Sequence, residues 1–237
     1  MPAIGVIAPH AGYQYSGLTA AHVFARVVVP ATVVVVAPNH TGLGRARVGG
    51  SVYARGVLRT PAGDVPVHEA LADALLAQCD LLEDDPLAHE REHAVEVQLP
   101  FLLARRPDVR VVPIALGWTD WPSTRLLGEA LAAVLRPWPE PVLLVASSDM
   151  NHYEDVAVTT AKDGFALDQV ARLDAEQLLV VTARHRVSMC GRVPAAAMLH
   201  AARLLGATRA DVVHRSHSGT VTGDDERVVG YAGVIVR

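Results

Sequence analysis

Six stretches of the chain are rich in valine, isoleucine, leucine and alanine and lack a regular alternation of polar and apolar residues. Such short apolar runs are typical of strands that are covered on both faces. The predicted strands are Ala3–Ala8, Thr32–Ala37, Val109–Leu116, Val142–Ala146, Ala210–Ser216 and Val228–Val236.

Between these strands, apolar residues recur with a spacing near 3.6, which predicts amphipathic helices. Pro100 should kink one of these helices or end it early. Ser123 and Asp174 are placed to cap helix starts, and Gly206 is placed to stop the last helix. The predicted helices are Val67–Gln78, His93–Arg105, Ser123–Leu135, Thr159–Leu173, Asp174–Thr182 and Pro194–Leu205.

Strands that alternate with helices predict an α/β fold: a single-domain sandwich, residues 1–237, with helices packed around a mainly parallel or mixed central sheet. We find no internal repeat of 20–50 residues and no linker. Two polar insertions, Thr41–Pro66 and Asp80–Glu92, are predicted to be loops or a hairpin over one edge of the sheet.

Composition narrows the classes of function. The chain of 237 residues is 51% hydrophobic and has a net charge of −4, which gives no reason to expect a nucleic-acid partner. No apolar run reaches about 18 residues, so no transmembrane helix is expected. We see no signal peptide, and two cysteines do not make a disulfide framework, so the expected compartment is the cytoplasm.

Polar, titratable residues follow three of the predicted strands. His10 and His40 each follow an Ala-Pro pair at a strand end, and Asp149 and His152 follow Val142–Ala146. In open α/β sheets the functional site lies at the carboxyl ends of the strands. A single histidine among 11 would most simply be a surface residue. Three strand ends of the same kind favour one shared site instead.

Cys190 precedes Gly191 and a predicted helix, and the positive end of a helix dipole favours the thiolate. Cys79, by contrast, is expected to be a small buried hydrophobic residue. His10, His40 and Cys190 together form a set of ligands that suits Fe(II), Zn or Cu and leaves a position open for water or substrate. The sequence contains neither a Gly-x-Ser-x-Gly elbow nor a phosphate-binding loop, which argues against a serine hydrolase or a nucleotide-binding protein.

Glu92 and His93 begin another predicted helix. The simple interpretation is a solvated helix start, where acidic residues suit the dipole. The functional alternative is that these residues orient metal-bound histidines or move protons.

Seven motifs in this order resemble the Memo family, whose bacterial and archaeal members are called AmmeMemoRadiSam system protein B. The resemblance spans essentially the whole chain. The motifs are APHAGYQYSG, APNHTG, RTPAGDV, EHAVEVQLPFL, SSDMNHY, MCGRVP and HSGTVTGDDERVVGYAG.

The family is similar in fold to the LigB-like class III extradiol dioxygenases, which use non-haem Fe(II). The resemblance therefore implies a metal triad of His10, His40 and Cys190. It places Asp149 and His152 beside the metal, with His152 as the acid–base group. Partners that it implies are proteins of a radical-SAM system.

Three departures limit what the resemblance implies. The dioxygenases use a carboxylate where this chain has Cys190, so ring cleavage is not carried over. The sequence begins almost at the first strand, where family members commonly have a preceding segment that could shape the pocket. The family's Ser-Gly-Asp is here Ser218–Gly219–Thr220.

Two principal functions stay open at this point. One is a metal-dependent redox enzyme, similar to class III dioxygenases, that acts on a small oxidisable compound and uses His152 to move a proton. The other is a binding or accessory protein that acts through partners. A metal-dependent hydrolase is a weaker third alternative.

Overall fold

The computed structural model describes residues 1–44, 49–118 and 120–237. The strands are β1 (Gly5–Ala8), β2 (Thr32–Pro38), β3 (Gly50–Val52), β4 (Val57–Thr60), β5 (Gly63–Pro66), β6 (Leu82–Asp84), β7 (Arg110–Leu116), β8 (Val142–Ser147), β9 (His152–Glu154), β10 (Ala210–His217) and β11 (Val228–Val236). The helices are α1 (Tyr13–Phe24), α2 (Glu69–Gln78), α3 (His93–Glu96), α4 (Leu99–Arg105), α5 (Trp121–Leu135), α6 (Val156–Ala171), α7 (Ala175–Arg184), α8 (Arg192–Leu204) and α9 (Gly219–Thr222). A 3₁₀ helix spans Pro86–His89.

The central sheet has the strand order β10-β11-β1-β8-β2-β7-β3-β6, and β9 pairs with β11 outside this path. Its four middle strands, β1, β8, β2 and β7, run parallel. The strands on either side of this group, β11 and β3, pair with it antiparallel. The predicted α/β class with a mixed central sheet is therefore confirmed. All four parallel strands deliver the residues that follow them to one edge.

Successive side chains of the buried strands point to opposite faces of the sheet and form two hydrophobic layers. In β2, Val34 and Val36 join the cluster formed with α2, α5, α6, α7 and α8. Val33 and Val35 join the opposite cluster, formed with α1, α3 and α4. Successive side chains of a strand point to opposite faces, so an unbroken valine run fills both layers at once. Both faces of the sheet are thus covered.

Helix α1 was not predicted from the sequence. The residues that it buries include Ser16, Thr19 and Ala20, which are too small or too polar to produce a clear apolar stripe. The predicted helix His93–Arg105 is two helices, α3 and α4, and Pro100 lies in the first turn of the second. The prediction that this proline interrupts the helix is confirmed.

Capping residues were predicted with mixed success. Asp174 accepts a hydrogen bond from the Gln177 backbone at 3.0 Å, as expected. The prediction that Ser123 caps α5 is wrong, because Asp120 caps it and accepts from the Ser123 backbone N–H at 2.8 Å. An aspartate three residues earlier competes successfully for the same helix start.

The two polar insertions contain more regular structure than loops alone. The first carries β3 and the β4–β5 hairpin, and the second carries β6 and the 3₁₀ helix. Strands β3 and β6 extend the central sheet at one edge, and β4 and β5 form a separate two-stranded sheet. Residues 45–48 of the first insertion lie outside the described residues. Of the helices described, none is both long enough and apolar enough to cross a membrane.

Candidate metal centre

A pocket of about 450 Å³ opens at the carboxyl ends of the parallel strands. The residues after β1, β2 and β8 line it, together with His93 from the start of α3. The predicted convergence of these strand ends on one site is therefore observed. The lining residues are His10, Ala11, His40, His93, Asp149, His152, Tyr153, Cys190 and Val229.

His10 is buried, and its ring is oriented by Ser147. Its Nδ1 lies 2.8 Å from Ser147 Oγ. That hydroxyl donates its only proton to the Ala94 carbonyl at 2.6 Å and accepts from Gln98 Nε2 at 2.9 Å. His10 Nδ1 must therefore be the donor, which leaves Nε2 with an unprotonated lone pair that faces Cys190 Sγ at 3.3 Å. Burial lowers the pKa of His10 to about 4, so this lone pair is available at neutral pH.

Glu92 orients His40 in the same manner. Its Oε1 accepts from His40 Nδ1 at 2.9 Å and from the Ala94 backbone at 2.9 Å, and its Oε2 accepts from the His40 backbone at 2.5 Å. The hydrogen bond to Glu92 raises the pKa of His40. Burial raises the pKa of Glu92, but the hydrogen bonds from His40 and Ala94 outweigh burial, and the net direction is downward. His40 Nε2 is left as the free ring nitrogen.

His93 completes a cluster of three imidazoles. Its ring stacks on that of His40, with centroids 5.1 Å apart, and lies edge-on to His10 at 5.4 Å. One ring nitrogen from each of His10, His40 and His93 lies within 4.8 Å of the others, so the three could hold a metal ion. From the sequence, His93 was predicted to orient metal-bound histidines or move protons, and it was not predicted to be a metal ligand. Its position at the start of a helix gave no signal that it faces both strand-end histidines.

Cys190 lies beside this cluster. Its Sγ is 3.3 Å from His10 Nε2 and accepts a hydrogen bond from the Asp149 backbone at 3.2 Å. Burial and the nearby charge of Asp149 raise the pKa of Cys190 to about 12. The start of α8 therefore does not ionise this thiol in the absence of a cation, contrary to the sequence-based expectation. A bound cation would reverse the balance, because metal coordination deprotonates thiols. The triad of His10, His40 and Cys190 stays a prediction.

Asp149 and His152 line the pocket on its β8 side. Asp149 Oδ1 accepts hydrogen bonds from the backbone N–H groups of His10 at 2.8 Å and Ala11 at 3.2 Å, which ties the loop after β1 to the loop after β8. His152 Nδ1 lies 2.8 Å from the Ser188 carbonyl, so Nδ1 is the donor and Nε2 is free. Asp149 therefore joins two strand ends, and His152 keeps Nε2 as a ring nitrogen without a protein donor or acceptor among the hydrogen bonds of the described residues.

Gly191 allows the Cys190 loop to approach β8 closely. A Cβ at this position would collide with the Ser147 carbonyl oxygen and with the Ser148 side chain, whose Oγ accepts from the Gly191 N–H at 3.0 Å. Neither partner can move without disturbing the end of a central strand. The close packing therefore requires glycine.

We expect Gly191→Ala to destabilise the protein by about 1–3 kcal/mol, because overpacking a rigid site forces a backbone shift. Gly164→Ala is the matched control, since a Cβ at Gly164 in α6 meets nothing within 4 Å. That control should raise stability by up to about 1 kcal/mol, as alanine favours helix. Urea unfolding of the three proteins measures both values. Equal stability of Gly191→Ala and the parent would contradict the close approach.

The protein is an α/β protein with a mixed central sheet, and it carries a candidate metal centre in a histidine-rich pocket at the carboxyl edge of its parallel strands. Sequence comparison names the family. The model of the Memo family, whose description is Memo-like protein, matches residues 1–235. The chain therefore belongs to the Memo family.

Relatives match along almost the whole chain. A MEMO1 family protein of Methanopyrus kandleri is 39% identical over 237 residues, which cover 98% of this chain and 83% of the relative. A MEMO1 family protein of Aquifex aeolicus is 39% identical over 232 residues, with 97% and 84% covered. The crystal structure of an uncharacterized Escherichia coli K12 protein shares the fold, with a TM-score of 0.60, 14% identity and 98% of each chain covered.

Proposed function

We propose that the pocket binds a divalent transition metal, Fe(II) in preference to Zn or Cu, and that the protein is a redox enzyme for a small molecule. The observation that carries this proposal is the convergence of three imidazoles, two of which have Nδ1 committed to protein acceptors. Metal-binding histidines are typically held in this way by a carboxylate or another acceptor. Imidazole nitrogen with a nearby thiol is a donor set that fits these three metals.

His10 and His40 would hold the ion, with Cys190 as the predicted third ligand and His93 within reach of the same position. A bound Fe(II) would supply redox and Lewis-acid chemistry at this edge of the sheet.

The surrounding residues have separate tasks in this proposal. Asp149 fixes the loop that carries His10, and Glu92 fixes the ring of His40. His152 presents its free Nε2 to the pocket and accepts a proton from a substrate hydroxyl. Substrate and the metal ligands thus meet at one place, while the proton leaves through a residue that is not a ligand.

Metal analysis of protein purified without oxygen tests the proposal. We expect iron near one equivalent, and oxygen uptake in the presence of an oxidisable substrate. His152→Ala should keep its metal and lose most turnover, because it removes the proton acceptor alone. His40→Ala should lose both.

Loss of metal from His152→Ala equal to that from His40→Ala would make His152 a ligand and contradict its assigned role. Protein that takes up no metal at all would favour the alternative proposal, a binding or accessory protein that acts with the proteins of a radical-SAM system.

A further inference from the structure

Two consecutive residues of β9, His152 and Tyr153, both line the pocket. In a regular strand, successive side chains point to opposite faces. Here the alternation is broken, because Tyr153 has a φ of 63° and the pairing of β9 with β11 shifts register between Val228 and Val229. Irregularities of this kind re-aim side chains next to functional sites.

The conformation of Tyr153 is costly for a residue that is not glycine, asparagine or aspartate. The ring gains little burial in return, since 63% of Tyr153 is exposed. A large aromatic side chain is therefore held at the pocket mouth by a strained backbone. The pattern indicates a role in contact with a ligand rather than in the core.

Arg227 lies against this ring, with its Cζ 5.1 Å from the Tyr153 centroid. Residues 224–226 before it are acidic. Asp224 accepts a hydrogen bond from the Glu226 backbone N–H, Asp225 lies 3.8 Å from His217, and the Glu226 side chain is exposed. Among the ion pairs of the described residues, none includes Arg227. The planar guanidinium of Arg227 thus lies over the Tyr153 ring, and its N–H donors can bind an anion.

The acids inside the pocket do not compete for a cationic ligand. Asp149 is engaged by two backbone N–H groups, and Glu92 by the backbone and ring of His40. A bound divalent cation would add positive charge beside them. Of the described residues at the pocket and its mouth, Arg227 is therefore the guanidinium that is left without an ion pair.

We propose that Tyr153 and Arg227 form a selective rim, at which a small organic anion packs its planar part on the tyrosine ring and pairs its carboxylate with the guanidinium. This inference rests on the proposed function, because it names the substrate class of the same pocket. It makes Tyr153 and Arg227 determinants of specificity and leaves proton transfer to His152.

Benzoate and benzamide are suitable probes, because they share a shape and differ in charge. Calorimetry with zinc-loaded protein should show benzoate binding roughly two- to fivefold more tightly than benzamide at low salt, the upper range of a single exposed charge contact. Arg227→Gln should bring the ratio to about one with zinc stoichiometry unchanged. Arg184→Gln, which removes an exposed charge from the last turn of α7, should keep the wild-type ratio.

Tyr153→Asn tests the ring separately. Asparagine tolerates a positive φ, so its melting temperature should not fall, while both probes should bind more weakly by a similar factor. A benzoate preference that survives in Arg227→Gln would overturn the rim, since the carboxylate would then bind elsewhere.

Repeating the comparison on chelator-treated protein separates this inference from the proposed function. An Arg227-dependent preference in chelator-treated protein that also takes up no added zinc would support the rim and contradict the metal centre. Zinc binding without that preference would do the reverse.

Discussion

His40→Ala is expected to weaken zinc binding by about 100-fold or more. Structural zinc sites with four ligands bind with about 10–16 kcal/mol at pH 7, so one ligand carries about 3 kcal/mol, or roughly two orders of magnitude. His40 is one of three imidazoles whose ligand atoms lie within 4.8 Å of one another. His10→Ala should have at least as large an effect, because burial leaves His10 deprotonated and it binds without displacing a proton.

Competition with a chromophoric chelator measures these affinities. His185→Ala, at the end of α7, is the matched control and should bind zinc as the parent does. Cys190→Ser and His93→Ala, compared in the same assay, identify the third ligand by which variant loses more. Parent-like affinity in both His10→Ala and His40→Ala would show that the imidazole cluster is not the metal site.

Glu92→Gln is expected to destabilise the metal-free protein by about 1–3 kcal/mol. The Glu92 side chain is fully buried and accepts hydrogen bonds from the backbone of His40, the ring of His40 and the backbone of Ala94. A neutral amide can accept only at its oxygen, so at least one buried donor loses its partner. The same change removes part of the cap of α3.

The pH dependence of this effect follows from the two shifted pKa values. Glu92 has a pKa below its ordinary 4.5, so its contribution is present above pH 4.5 and is lost as pH falls through the lowered value. His40 has a pKa above its ordinary 6.5, so its contribution is present below pH 6.5 and is lost as pH rises through the raised value. The difference between parent and variant should therefore be largest between pH 4.5 and 6.5.

Thermal unfolding of chelator-treated protein across this pH range tests the prediction. Glu96→Gln is the control, since it is the same substitution four residues later, at an exposed position. A constant difference between parent and Glu92→Gln from pH 4 to pH 9 would contradict the ionic part of the contact.

The sequence predicted the part of the site that strands deliver. His10, His40 and Asp149 follow buried runs such as Thr32–Ala37, and parallel strands bring their ends together without further information. For Cys190, the following glycine and the start of a helix favoured a functional role, and the family resemblance grouped it with the two histidines. The convergence of the strand ends could be predicted because a buried strand leaves a strong local pattern.

Other features depend on packing between elements that are distant in sequence. His93 joins the cluster only because α3 packs over β2, and the left-handed backbone of Tyr153 depends on the irregular pairing of β9 with β11. The high pKa of Cys190 likewise reflects burial beside Asp149, which no local motif encodes. Helix α1 was missed because its buried face is made of small and polar residues.

X-ray absorption at the metal edge of reconstituted protein tests the central claim most directly. The account predicts imidazole scattering from at least two histidines, with nitrogen at about 2.0–2.1 Å and one sulfur at about 2.3 Å if zinc is the metal. His10→Ala should lose part of the imidazole signal, and Cys190→Ser should lose the sulfur. A spectrum with only oxygen ligands, or one unchanged in His10→Ala, would contradict the assignment of this pocket as a metal centre.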